Sequence, residues 1–164
     1  MRPASALVIP SLVTRQFSAD AVGDAQLFWA GDTSLVSSFL SIAPSLSGQD
    51  LATAATSALA SEGDELNHKG VLDTIFQDVV SEDIRAANAT LVDHGTFQFV
   101  VDGLNDLATN GAGFTSDQVL SSIAMINTVR CNNVLPAIDI YLRLAVKFSG
   151  KQSPNVAIRP SNCP

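Results

Sequence analysis

Apolar residues recur every three or four positions along most of this chain, the period of an amphipathic helix. From Ser18 the pattern predicts two short helices, 18–30 and 34–42, parted by Gly31-Asp32, with Pro44 closing the second. Ser47 with Asp50 reads as a capping box ahead of a stripe of Leu51, Ala55, Ala58 and Leu59. Gly63 and Gly70 are expected to bend or end that helix, although Leu72, Ile75, Phe76 and Val79 continue its face. Ser81 is placed to cap a segment that turns Ile84, Ala87 and Leu91 inward and breaks at Gly95.

The stripe resumes at Phe97, Val100, Val101, Leu104 and Leu107 and stops at Asn110-Gly111-Ala112-Gly113. Thr115 with Gln118 forms a second capping-box pattern, opening a helix that uses Val119, Leu120, Ile123, Ile126 and Val129. Asn132-Asn133 precede a last helix with Pro136 in its first turn, where a missing N–H costs nothing. Val134, Ile138, Tyr141, Leu142, Ala145 and Phe148 align along it, and Gly150 ends it. Alternation at period two is confined to the very short Phe97–Val101. The expectation is therefore an all-α fold: an antiparallel bundle of about five core helices, with short N-terminal helices added.

Composition narrows the setting. A chain of 164 residues, 46% hydrophobic and 15% charged, is long and apolar enough for one packed domain rather than disorder. The net charge of −7, with no cluster of Lys or Arg, lacks the electrostatic footprint of a nucleic-acid binder. Without 18 successive apolar residues, no transmembrane segment is expected. Residues 1–16 stand apart: Arg2, an apolar run from Ala4 to Val13, then Thr14-Arg15-Gln16 have the order of a short signal peptide or propeptide. Residues 17–164 then make a single helical domain with a loop-like tail from Ser149 to Pro164.

Only two cysteines are present, Cys131 and Cys163. Cys163 sits in a tail with Pro154, Pro160 and Pro164 that offers a free thiol little core, so a disulfide clipping the tail to the bundle is expected. Such a pairing implies an oxidising, extracellular location. The sequon Asn88-Ala89-Thr90 agrees with a secreted glycoprotein.

Reactive groups are few. His94 falls near the stripe of Ile84, Ala87 and Leu91, and is expected to be a histidine at a helix end. No Gly-x-Ser-x-Gly elbow marks a serine nucleophile. Cys131 beside Arg130 would be activated if it were free, which pairing with Cys163 prevents. The glycines of 110–113 read as a helix stop rather than an anion loop. Phe17, Phe28, Trp29 and Phe39 recur at helical spacing and are expected in the core, with an exposed apolar patch as the alternative.

The strongest constellation is Glu62-Gly63-Asp64-Glu65-Leu66-Asn67-His68. Glu65 and His68 are three apart on one helix. Stepping along the stripe from Leu59 lands on Glu62, on Glu65 or Leu66, and then on the side of His68 and Leu72, which points these polar groups inward. A solvated face of Glu62, Asp64 and Glu65 near a helix bend is the other reading. Carboxylate and imidazole on facing helices are how di-iron and di-manganese bundles hold metal. The segment from Ala58 to His68 resembles the Glu-x-x-His helix of the ferritin-like superfamily, over about one helix of the family's pattern. That resemblance implies a metal site at Glu62, Glu65 and His68 for Fe, Mn or Zn. The family needs a second such helix, and the counterpart segment, Val129-Arg130-Cys131-Asn132-Asn133, has neither carboxylate nor histidine. A degenerate, metal-free ferritin-like bundle is the form that this departure implies.

Taken whole, the chain is similar to small secreted fungal proteins, in its short leader, its Ala/Ser/Asp-rich helical body and its terminal Pro160-Ser161-Asn162-Cys163-Pro164. The expected function is that of a secreted acidic bundle, non-enzymatic and without a cofactor. It would bind an extracellular protein, cell-wall material or an apolar ligand through its surface. The alternative is a ferritin-like metal-binding or redox protein.

Overall fold

A computed structural model of the chain describes residues 18–76 and 81–164. The expected leader, Phe17 and Val79 lie outside the described residues. Every regular element among the described residues is helical, so the all-α class holds.

Helix α1, Ala19–Ile42, begins under the Ser18 hydroxyl, which accepts from the Ala21 N–H at 3.2 Å. It runs straight through Gly31-Asp32, where two helices were expected. Gly31 faces open space, and a glycine inside a helix costs only about 1 kcal/mol against alanine. Trp29, Ala30, Thr33 and Val36, buried on both sides of it, outweigh that cost. A turn at Ala43–Ser45 leads into α2, Gly48–Phe76. Ser47 contributes its carbonyl, which accepts from the Leu51 N–H, rather than the expected capping hydroxyl. Gly63 and Gly70 do not end α2; both lie on its exposed side.

Ser81 caps α3, Glu82–Asn88, as expected, accepting from the Ile84 N–H at 3.4 Å. A π turn, Ala89–Asp93, follows, and Gly95 at φ 67° provides the left-handed break that a side chain would resist. Helix α4, Thr96–Asn110, absorbs the alternating Phe97–Val101. The Thr115–Gln118 capping box is complete, with bonds of 2.8 and 3.3 Å, and starts α5, Ser116–Val129.

Asn132-Asn133 precede the last helix, as expected. A π turn, Arg130–Val134, carries the chain from α5 directly into α6, Leu135–Ser149. Pro136 supplies the reason: it has no N–H for the α ladder, and the wider turn takes up the mismatch just before it.

Helix α2 packs between α1 and α4, while α6 closes on α1 and α3, and α5 on α4. Trp29, Leu40, Leu51, Leu72, Leu104, Leu135 and Leu142 form the fully buried centre of the core. No helix among the described residues is long and apolar enough to cross a membrane.

The tail, 150–164, is stitched onto α1, α5 and α6. Gln26 donates to the Pro154 carbonyl at 2.6 Å and Ser37 to that of Ile158 at 2.7 Å. Asp139 accepts from the Ala157 N–H at 2.7 Å and holds Arg159 by both of its oxygens. Asn127 donates to the Asn162 side chain at 2.9 Å. Cys131 and Cys163 form the disulfide, Cα atoms 5.9 Å apart.

Candidate functional site

The inward stripe of α2 steps through Ala55, Ala58, Glu62, Glu65, Lys69, Leu72 and Phe76, every one of them buried. Glu62 and Glu65 thus point into the core rather than forming a solvated face, and Leu66 is left outside. What meets them is Arg130, in the π turn at the end of α5. Its Nη1 donates to Glu62 Oε2 at 2.6 Å and its Nη2 to Glu65 Oε1 at 3.0 Å. Nη2 also reaches the Thr33 carbonyl at 3.3 Å, and Trp29 Nε1 donates to Glu65 Oε2 at 3.0 Å. The side chains of Glu62, Glu65 and Arg130 are all 0% exposed.

Two carboxylates and one guanidinium leave a surplus negative charge in a dry place, where an unpaired charge is costly. A proton removes it. Glu65 accepts from both Arg130 and Trp29, so each of its oxygens is served. Glu62 has one donor, and its Oε1 has no partner; Arg130 Nε is likewise unpaired. Burial, opposed by Arg130 and reinforced by the neighbouring Glu65, holds the Glu62 carboxyl well above its ordinary value. Glu62 is therefore the acid of the pair that favours its neutral form. Against its own desolvation, the two carboxyl groups keep Arg130 charged.

His68 turns away from this group. It is one residue out of phase with the stripe, and its Nε2 pairs with Asp32 of α1 at 3.2 Å while its ring stacks on Phe28 at 5.7 Å. Partial burial raises the Asp32 carboxyl, with His68 opposing the shift. The residue in phase is Lys69, whose Nζ donates to Asp73 and to Asn88, each at 2.6 Å. It also lies 5.4 Å from the centre of the Tyr141 ring. The Tyr141 hydroxyl donates to Asp73 at 2.7 Å, and burial, followed by Asp73, pushes that phenol above its ordinary value. Asn88, the asparagine of the sequon, is half-buried, with its amide oxygen engaged by Lys69.

The structure therefore brings Glu62 and Glu65 together around a guanidinium and places His68 elsewhere. Among the described residues, no group of three or more His, Cys, Asp or Glu side chains is arranged to hold a metal ion. His94 is exposed. Of the aromatic group, Trp29 and Phe39 are core residues, whereas Phe28 is 57% exposed.

Sequence reasoning had matched Val129–Asn133 to the missing second ligand helix, and Arg130 of that segment does face Glu62 and Glu65. It had assigned Arg130 only to Cys131. The missed signal is phase: 119, 123, 126, 130 and 134 fall on one stripe, so Arg130 sits where Val119, Ile123, Ile126 and Val134 place apolar side chains. Lys69 carries the same signal on α2. No family model, curated protein or solved structure matches the chain. The likenesses to ferritin-like and to small secreted fungal proteins thus rest on their residues alone.

Proposed function

We propose that this is an extracellular, non-enzymatic binding protein that acts through its exterior. The observation that carries the reading is the closure of the Glu62–Arg130–Glu65 group. Among the described residues, the buried acidic pair Glu62 and Glu65 is met by the chain's own guanidinium, and none of the three side chains is exposed to solvent. The Cys131–Cys163 disulfide supports a secreted location, and half-exposed Phe28, Leu35, Phe99 and Met125 give the outside apolar contact area.

A degenerate ferritin-like bundle is the second reading, supported by the meeting of Glu62 and Glu65 with the Val129–Asn133 segment. In that reading Arg130 stands where a divalent cation would neutralise the two glutamates. Elemental analysis of the purified chain tests both. The expected result is no stoichiometric Fe, Mn or Zn, and no rise in melting temperature on adding Mn or Zn. Stoichiometric metal that disappears in a Glu62→Gln/Glu65→Gln variant would overturn the binding-protein reading and restore the metal site.

A further inference from the structure

On the surface between α4 and α5, Gly103 sets the geometry. A Cβ there would stand 2.7 Å from the Ile126 side chain, so the two helices approach closely only because position 103 is bare. Buried Ile126 floors a groove of about 280 Å³. Phe99, 44% exposed, and Met125, 54% exposed, also line it, and Asp102 and Asp106 of α4 contribute the acidic groups.

Each aspartate accepts one amide from its own helix, Asp102 from Gln98 at 2.8 Å and Asp106 from Asn110 at 2.7 Å. Those bonds orient the carboxylates without neutralising them. Among the described residues no ion pair reaches either aspartate, and no Lys, Arg or His lines the groove.

We propose that this groove binds a small amphiphilic organic cation, an alkyl- or arylammonium. The apolar body lies on Ile126 and Met125, and the ammonium sits between Asp102, Asp106 and the face of Phe99. Three features fix that chemistry. An apolar floor with a few convergent polar groups is the usual make-up of a small-molecule site. Carboxylates and an aromatic face both attract a cation, and the same carboxylates repel an anion of equal size. Methionine adapts to varied apolar shapes, which suits a class of ligands rather than one. The volume suits a small molecule rather than a docked helix. This inference rests on the exterior-binding reading and names the ligand class for it.

The test is a titration of the full chain with n-octylammonium and with n-octanoate, followed by Met125 methyl and Phe99 ring NMR signals. Octylammonium is expected to shift those signals and to bind at least about tenfold more tightly than octanoate. Asp102→Asn/Asp106→Asn should bring the ratio close to one with the helical circular dichroism unchanged, while Asp102→Glu should retain the preference. Met125→Ser should weaken both probes. Equal affinity for the two ions, or no binding of either, overturns the proposal. Shifts at Phe28 and Leu35 instead overturn the groove assignment but leave the exterior-binding reading standing, which only retained metal would remove. Binding of a basic amphipathic peptide without octylammonium would overturn the small-cation class.

Discussion

Two pairs of helical carboxylates in this molecule meet opposite fates. Glu62 and Glu65, three apart on α2, are sealed in the core around Arg130; Asp102 and Asp106, four apart on α4, stand at a surface groove with no cationic side chain beside them among the described residues. In the dry interior a surplus charge must be matched by a guanidinium and a proton, so the pair is consumed by the fold. At the surface water solvates each aspartate and nothing compels a partner, so the pair keeps its charge for a ligand. A sequence-adjacent acidic pair is therefore a site only where its surroundings leave the charge unspent.

The contrast is open to breaking. Arg130→Met should have the largest effect, about 3–5 kcal/mol lost in denaturant unfolding, because two buried acids are left without their cation. Removing the disulfide with Cys131→Ser/Cys163→Ser should cost roughly 3–4 kcal/mol in the chain-entropy account, the cross-link being between residues 32 apart. It also tests whether the tail fixes the π turn that presents Arg130, since Cys131 is the next residue.

Glu62→Gln should be far milder than Arg130→Met, because it replaces a neutral acid by a neutral amide. Its signature is in pH. The folded-state value of Glu62 is raised above its unfolded one, so its contribution to stability is full below the ordinary glutamate value and fades as pH rises through the folded-state value. Glu62→Gln should remove that decline toward alkaline pH in a melting-temperature series. Smallest of all, Asp102→Asn and Asp106→Asn should change stability by no more than about 0.5 kcal/mol, as substitutions at a solvated surface do. A loss on the scale of Arg130→Met would show that the groove aspartates serve the fold.

Much of the architecture was legible in the sequence because it depends on local signals. The Thr115–Gln118 box, the Ser81 cap and the breaks at Gly95 and Gly150 all act over a few residues, and all appear in the structure. Glycines 31, 63 and 70 misled for the opposite reason: a helix packed along its whole length tolerates isolated glycine on its wet side, and that packing is tertiary. At the candidate site, phase pointed Glu62 inward but left Glu65 and Leu66 as alternatives, which tertiary packing resolves by burying Glu65. The partner of Glu62 and Glu65 lies 68 and 65 residues away, and identifying it needed the rule that a basic residue on an apolar stripe must answer a buried acid. His68 misled by a single step of helical rotation.

The most direct check is a carboxyl carbon-13 NMR titration of Glu62 from mildly acidic to neutral pH. Glu62 should keep the shift of a protonated acid well above the pH at which an ordinary glutamate ionises. Glu62 titrating in the ordinary glutamate range would contradict the account that the interior acids are closed around Arg130.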